Sequence, residues 1–214
     1  MNLGPALRVV ATYPISQGKI LLHVARGSVV AFRGDERSAI VNAANDGCLG
    51  GGGVDGAISM AGGPMLAEDR VKLPCVKPGI RCPTGQAVTT GPGDYGELSV
   101  PFVIHAVGPN YYSYSSNDEP DELLHSAYQT AMDECQKHEI SKVAFSLLSA
   151  GVFRGSRSLQ EVLTIGIKSI SSWVKEAKEG SDTIYPQEVT LCGFTERETM
   201  TLIDICDAEF SLED

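Results

Sequence analysis

A chain of 214 residues with 43% apolar side chains can bury one good core and little else, and its formal net charge of −10 repels polyphosphate, which argues against nucleic-acid binding through a broad basic face. The six cysteines include no C-x-x-C pair, no run of about 18 apolar residues offers a membrane span, and the first ten residues lack the apolar region of a secretory leader. The expectation is one domain with scattered reduced thiols, no metal and no cofactor, cytoplasmic or nuclear, in which a small anion could still be held by backbone N–H groups.

In chain order, residues 1–18 read as an N-terminal extension, residues 19–210 as the domain and residues 211–214 as an acidic tail. Apolar and β-branched runs predict strands at 19–25, 39–42, 87–90, 102–107, 142–148 and 188–192. The first runs into Gly27-Ser28-Val29. The second ends at Asn42 and leads through Ala43 and Asn45 to Gly50, Gly51, Gly52 and Gly53, followed by Val54 and Asp55 at the start of a helix-like segment. Glycines lack Cβ, so their backbone can approach a ligand and turn successive N–H groups toward an anion. A bare glycine run is ordinarily a surface turn. The asparagines before this one and the acid after it, at the carboxyl end of a strand, make it a ligand loop.

After Pro120, Leu123, Ala127, Ala131 and Cys135 recur every four residues and give a helix with one apolar stripe. The strand at 142–148 opens into a second glycine-bearing loop, Ser149, Ala150, Gly151, Val152 and Phe153. The next helix starts with Ser158-Leu159-Gln160-Glu161, a capping-box pattern that Thr195-Glu196-Arg197-Glu198 repeats after the last strand and Phe194. Such alternation predicts a layered α/β fold with helices on both faces of a sheet. Two glycine loops feeding helix N-termini can clamp a diphosphate. Neither is a triphosphate loop, since no lysine follows either glycine set, and no acid closes a βαβ unit as the dinucleotide fingerprint requires.

The stretches IVNAAN, GGGGVDGAI, CPTGQA at 82–87, VIHAVGP at 103–109 and GVF at 151–153 resemble the macrodomains, and within them the MacroD-type ADP-ribosyl hydrolases, in family order and over nearly the whole chain. The resemblance implies a three-layer α/β/α sandwich around a mixed sheet of about six strands, with ADP-ribose in a cleft at its crest. It implies a monomer that hydrolyses mono-ADP-ribose from acidic side chains of proteins or deacetylates O-acetyl-ADP-ribose. A non-catalytic reader of ADP-ribosylated proteins and an ADP-ribose 1″-phosphate phosphatase are the alternatives.

By the same resemblance Asn45 would hold the distal ribose and Asp55 would position or activate a water. Ala43, Gly50, Gly51, Gly52, Gly53 and Val54 would line one side of the ribose and diphosphate, and Ser149, Ala150, Gly151 and Val152 the other, with Phe153 over the ribose. Phe194 would stack on adenine, with Ser28 beside it. Asp55 also suits a plain position in the first turn of a helix, stabilised by the dipole. Asn42 is expected to tie the loop backbone together, and His105 to be a satisfied core residue rather than a base. Three positions, Ser28, Ser59 and Arg154, depart from the family pattern, and the segment before IVNAAN is longer than is typical. Ser28 stands where an aspartate usually reads the adenine amino group, Asp35 offers a second candidate for that role, Ser59 replaces a common histidine, and Arg154 a frequent glycine.

Overall fold

The computed structural model describes residues 6–177 and 185–210. Among these residues β1 (Arg8–Ile15), β2 (Ile20–Arg26), β3 (Ser38–Ala43), β4 (Ala87–Thr90), β5 (Phe102–Ala106), β6 (Lys142–Phe145) and β7 (Glu188–Gly193) pair into one sheet in the order β1-β2-β7-β6-β3-β5-β4. The five inner strands run parallel, and β1 and β4 close the edges antiparallel. Parallel strands need cover on both faces. Here α1 (Gly53–Lys72) covers one face, while α2 (Asp118–Lys137), α3 (Leu159–Ala177) and α4 (Glu196–Phe210) cover the other, which makes the expected three-layer sandwich. None of the described helices is long and apolar enough to cross a membrane.

Period-two alternation assigns each strand side chain to a layer. Ala39 and Val41 of β3 and Val143 and Phe145 of β6 join the larger core with α2, α3 and α4. Their neighbours Ile40 and Ala144 join the smaller core with Ile58, Ala61 and Leu66 of α1. Both expected capping boxes form: Ser158 N–H donates to Glu161 Oε2 at 2.8 Å and Glu161 N–H to Ser158 Oγ at 3.1 Å, and the corresponding Thr195–Glu198 bonds are 2.7 and 3.2 Å.

The seventh strand, β1, lies in the segment to which the sequence reading gives no element. Most of its side chains are exposed, and Pro14 sits opposite Leu21 on an edge strand, where proline is tolerated. The acidic residues 211–214 lie outside the described residues. β6 stops at Phe145, short of the expected residue 148, where Ser146 Oγ accepts from Ala43 N–H at 2.9 Å and donates to the Val41 carbonyl at 2.7 Å. The helix after the glycines runs past Pro64 to Lys72 with a kink at Gly63 (φ 61°, ψ −159°). Proline cannot donate into the preceding turn, so the helix breaks there and restarts.

Because β2, β3, β6 and β7 are parallel, they deliver their carboxyl ends to one edge of the sheet. The segments that follow them line a common cleft, at the place where open α/β sheets bind ligands.

Candidate functional site

The cleft has two lobes. One, of about 390 Å³, is lined by Ala43, Asn45, Gly51, Gly52, Gly53, Val54 and Asp55 on one side and Ser149, Gly151, Val152 and Phe153 on the other. The second, of about 450 Å³, is lined by Ser28, Val29, Ala57, Ser146, Ala150, Cys192, Phe194 and Glu198. Gly53, Val54, Leu147 and Gly151 border both, so the lobes are continuous. Of the site residues expected from the sequence, all but Gly50 line one lobe or the other. Gly50 instead anchors the loop from behind, its carbonyl accepting from Asn45 Nδ2 at 2.9 Å.

The loop between β3 and α1 is shaped by close approach. A Cβ on Gly51 would lie 3.0 Å from Asp55 Oδ2 and 3.1 Å from Asn45 Nδ2, so only glycine lets these two polar atoms flank the loop. The N-cap of α1 is Gly52, which has no side chain to cap the first turn, and the leading N–H groups of the helix are left for a ligand. The opposite wall repeats this with Gly151 as the uncapped start of a 3-10 turn, Val152–Arg154. Ser149 holds that wall in a left-handed conformation (φ 52°), with its hydroxyl donating to the Pro109 carbonyl at 2.8 Å. Of the two helix N-termini expected at the cleft, only that of α1 lines it. The start of α3, around Ser158 and Glu161, lines a separate depression, because the 3-10 turn and Gly155 intervene.

Asp55 is 3% exposed and sits in the first turn of α1. Its Oδ1 accepts from Asn42 Nδ2 at 2.8 Å and from Arg70 Nη2 at 2.5 Å, whereas its buried Oδ2 has no partner. Arg70 also donates through Nε to the Cys48 carbonyl at 2.6 Å and through Nη1 to Ser59 Oγ at 2.7 Å. Asn42 therefore does not tie the loop backbone, as expected from its place at a strand end. Its amide holds the acid, and it also lies 3.2 Å from His105 Nδ1.

His105 is fully buried, with Nε2 3.1 Å from Thr90 Oγ1. Burial, helped by the Arg70 charge, pushes its pKa down to about 3, so it is neutral and serves as packing and wiring rather than as a base. Asp35 does not reach the cleft. It precedes β3, at the opposite end of the sheet, where Oδ1 accepts from Ser38 Oγ at 2.8 Å and Arg37 N–H at 3.0 Å. These bonds hold its carboxyl below the usual range.

In the second lobe Phe194 is 59% exposed at the mouth, and Ser28 is buried at the end of β2 with no bond from its side chain to the turn it caps. Sequence reasoning missed Ser146, Leu147, Cys192 and Glu198 here. The first two fall inside the strand expected at 142–148 and enter the cleft because β6 ends at Phe145, and the last belongs to a recognised capping box. Arg70 had no local signal. Among the described residues, no group of three or more His, Cys, Asp or Glu side chains could hold a metal ion.

The Macro domain family model matches residues 41–163, which takes in both glycine loops. A macro domain-containing protein of Caldanaerobacter subterraneus subsp. tengcongensis is 39% identical over 163 residues, covering 76% of this chain and 84% of that protein. An O-acetyl-ADP-ribose deacetylase of Escherichia coli is 36% identical over 156 residues, 73% of this chain and 81% of the enzyme. Among solved structures, the Oceanobacillus iheyensis macrodomain with ADP superposes with a TM-score of 0.77 at 26% identity, covering 97% of this chain and 99% of that one.

Proposed function

The chain belongs to the Macro domain family, and from that premise we propose that its cleft binds ADP-ribose and hydrolyses esters at the distal ribose, either O-acetyl-ADP-ribose or mono-ADP-ribose on acidic side chains of proteins. The observation that carries this reading is the pairing of Asp55 Oδ2, buried and unpartnered, with Asn45 Nδ2 across Gly51, beside the uncapped start of α1. An orphaned carboxylate oxygen in a cleft is a seat for a water. The relatives named O-acetyl-ADP-ribose deacetylase supply the substrate class.

In this mechanism the diphosphate lies between the two glycine-capped walls and is held by neutral backbone donors rather than by lysine or arginine. Phe194 stacks on the adenine in the second lobe. At the first lobe Asn45 holds the distal ribose while Asp55 Oδ2 orients a water toward the ester-bearing carbon or acyl group. Attack at the anomeric carbon of a protein ester expels the carboxylate, a good leaving group, while the ligand's own phosphate offsets the positive charge that develops on the ribose. Attack at the acyl carbon of O-acetyl-ADP-ribose instead expels the ribose oxygen, which leaves as a hydroxyl with the proton taken from the attacking water.

The test combines titration with turnover. ADP-ribose should bind with a Kd in the micromolar range, about −8 kcal/mol, and lose little affinity as salt rises, because few ionic contacts form. The wild-type chain should then release ADP-ribose from O-acetyl-ADP-ribose or from auto-ADP-ribosylated protein. Binding without turnover of either ester would make the chain a reader, and turnover of ADP-ribose 1″-phosphate alone would make it a phosphatase. No heat and no thermal shift at millimolar ADP-ribose would remove the reading altogether.

A further inference from the structure

We infer that Arg70 is a positioning residue for hydrolysis: it fixes Asp55 so that a single oxygen is left unbonded at the wall of the cleft, and it ties the acid to the loop that carries Asn45. The inference rests on the proposal that the cleft hydrolyses ADP-ribose esters.

Arg70 is 1% exposed, and its three donor positions reach three different acceptors: Asp55 Oδ1 at 2.5 Å, Ser59 Oγ at 2.7 Å and the Cys48 carbonyl at 2.6 Å. Ser59 Oγ donates in turn to the backbone carbonyl of Asp55 at 2.8 Å, so the acid is gripped at both its side chain and its main chain. The two oxygens of an isolated carboxylate are equivalent and exchange by a half-turn of the group. Here Arg70 and Asn42 both bond Oδ1 and nothing bonds Oδ2, which removes that equivalence and leaves Oδ2 for the water.

The bond to Cys48 reaches the other half of the site. Cys48 holds a left-handed backbone conformation (φ 54°), which residues other than glycine seldom adopt, and it lies between Asn45 and Gly50, the two residues whose side chain and carbonyl are joined. Arg70 thus ties the Asn45 loop and Asp55 to one rigid planar group. Such rigidity matters because a displacement of about 1 Å at a reacting group can cost on the order of 100-fold in rate.

The kink in α1 is what makes this possible. Residues 55 and 70 would stand about 22 Å apart along a straight helix, beyond the reach of their side chains. The break at Gly63 and Pro64 folds the second half back so that its last turn meets its first. A fully buried ion pair is a poor stabilising device, since well-packed apolar residues of the same volume commonly do as well or better. A pair retained beneath an orphaned oxygen at a cleft fits positioning.

The test is Arg70→Lys, which keeps the charge but cannot copy the three-way planar fork. With O-acetyl-ADP-ribose as substrate, kcat should fall at least about tenfold while the Kd for ADP-ribose stays within about threefold, with unfolding monitored to confirm a folded variant. Unchanged kcat would overturn the inference, as would a parallel loss of ADP-ribose affinity, which would make Arg70 a prop for the whole cleft. Should Arg70→Lys fail to fold, Ser59→Ala removes one of the three acceptors and spares the ion pair. A fall in kcat of about threefold at constant Kd then supports the inference, and none overturns it. Absence of turnover by the wild-type chain, with ADP-ribose still bound, would instead bring down the hydrolase reading on which the inference stands.

Discussion

At one end of the cleft Asp55, Asn42, Arg70 and Ser59 form a buried polar network in which every bond is short and one carboxylate oxygen is left over. At the other end Val29, Ala150, Cys192 and Phe194 supply apolar walls around Ser28 and Glu198. The first end is suited to hold one geometry. The second offers area and an exposed ring and can tolerate changes of side chain. Substitutions in the polar network at the first end should therefore act mainly on turnover, and those at the second end mainly on affinity, whereas the glycine walls between them should act on binding as a whole.

The largest effect is expected from Asp55→Asn, which keeps an acceptor for Arg70 and the shape of the side chain but removes the charge at Oδ2. Turnover should fall at least about 100-fold while ADP-ribose affinity changes less than about tenfold, as steady-state kinetics and calorimetry would show. Asp55→Ala is the poorer probe, because it strands the buried Arg70 and should destabilise the fold by about 3–5 kcal/mol. Gly52→Glu attacks the wall rather than the chemistry. A Cβ at Gly52 meets nothing within 4 Å and its φ of −92° suits any residue, so the fold should stand while bulk and charge beside the diphosphate abolish ADP-ribose binding.

These two sites also divide what was legible. The loop from Asn45 to Asp55 could be read from residue types, because an amide, glycines and an acid in that order at a strand end have few other uses. The strands and the three later helices could be read from periodicity and capping boxes. Arg70 could not, since it meets Asp55 only because α1 kinks at Gly63, and no local pattern sets the direction of that kink. Cys48 and Cys82 show the same blindness to distant contact. They are 34 positions apart, yet they share one small buried cluster, in which the Cys48 thiol donates to the Asn45 carbonyl at 3.4 Å and the Cys82 thiol to the His105 carbonyl at 3.7 Å. β1 escaped for another reason, since a mostly exposed edge strand with a proline carries little hydrophobic signal.

The next prediction uses pH. Neutral His105 backs Asn42 at the chemistry end, and its pKa of about 3 lies well below the 6.5 expected of an unfolded histidine. Below pH 6.5 the unfolded chain therefore binds a proton that the folded chain refuses, and stability is lost as pH falls from there toward 3. The slope is about 1.4 kcal/mol per pH unit, or roughly 2 kcal/mol between pH 6.5 and 5. Urea unfolding of the wild type and of His105→Gln at those two pH values should show this loss in the first and a smaller one in the second. Equal losses in both would place the acid-labile group elsewhere.

At the affinity end Phe194→Ala should weaken ADP-ribose by about 1–3 kcal/mol, the usual worth of stacking a base on an aromatic ring, with kcat at saturating substrate unchanged. A fall in kcat at unchanged affinity would mean that the two ends of the cleft are not energetically separate.

The smallest effect is expected at Ser28. It is buried at the end of β2, lines the second lobe and makes no side-chain bond to the turn it caps, so its hydroxyl is available to the ligand. A hydroxyl offers the adenine amino group a neutral hydrogen bond of about 1 kcal/mol, whereas a carboxylate offers a charge-assisted one of roughly 1.5–3 kcal/mol. Ser28→Asp should therefore tighten ADP-ribose by up to about tenfold, and it should leave a hypoxanthine analogue, which lacks that amino donor, unimproved. Asp35 cannot already fill the role, since its carboxylate is bound to Ser38 and Arg37 before β3, at the far end of the sheet, and Asp35→Ala should leave both ligands unaffected. A carboxylate at position 28 also enters a lobe that already holds Glu198, whose Oε2 is engaged by Thr195, and repulsion between the two acids would oppose the gain. Weakening of both ligands by Ser28→Asp would show that repulsion wins, and no change in either would leave Phe194 stacking as the whole of adenine recognition.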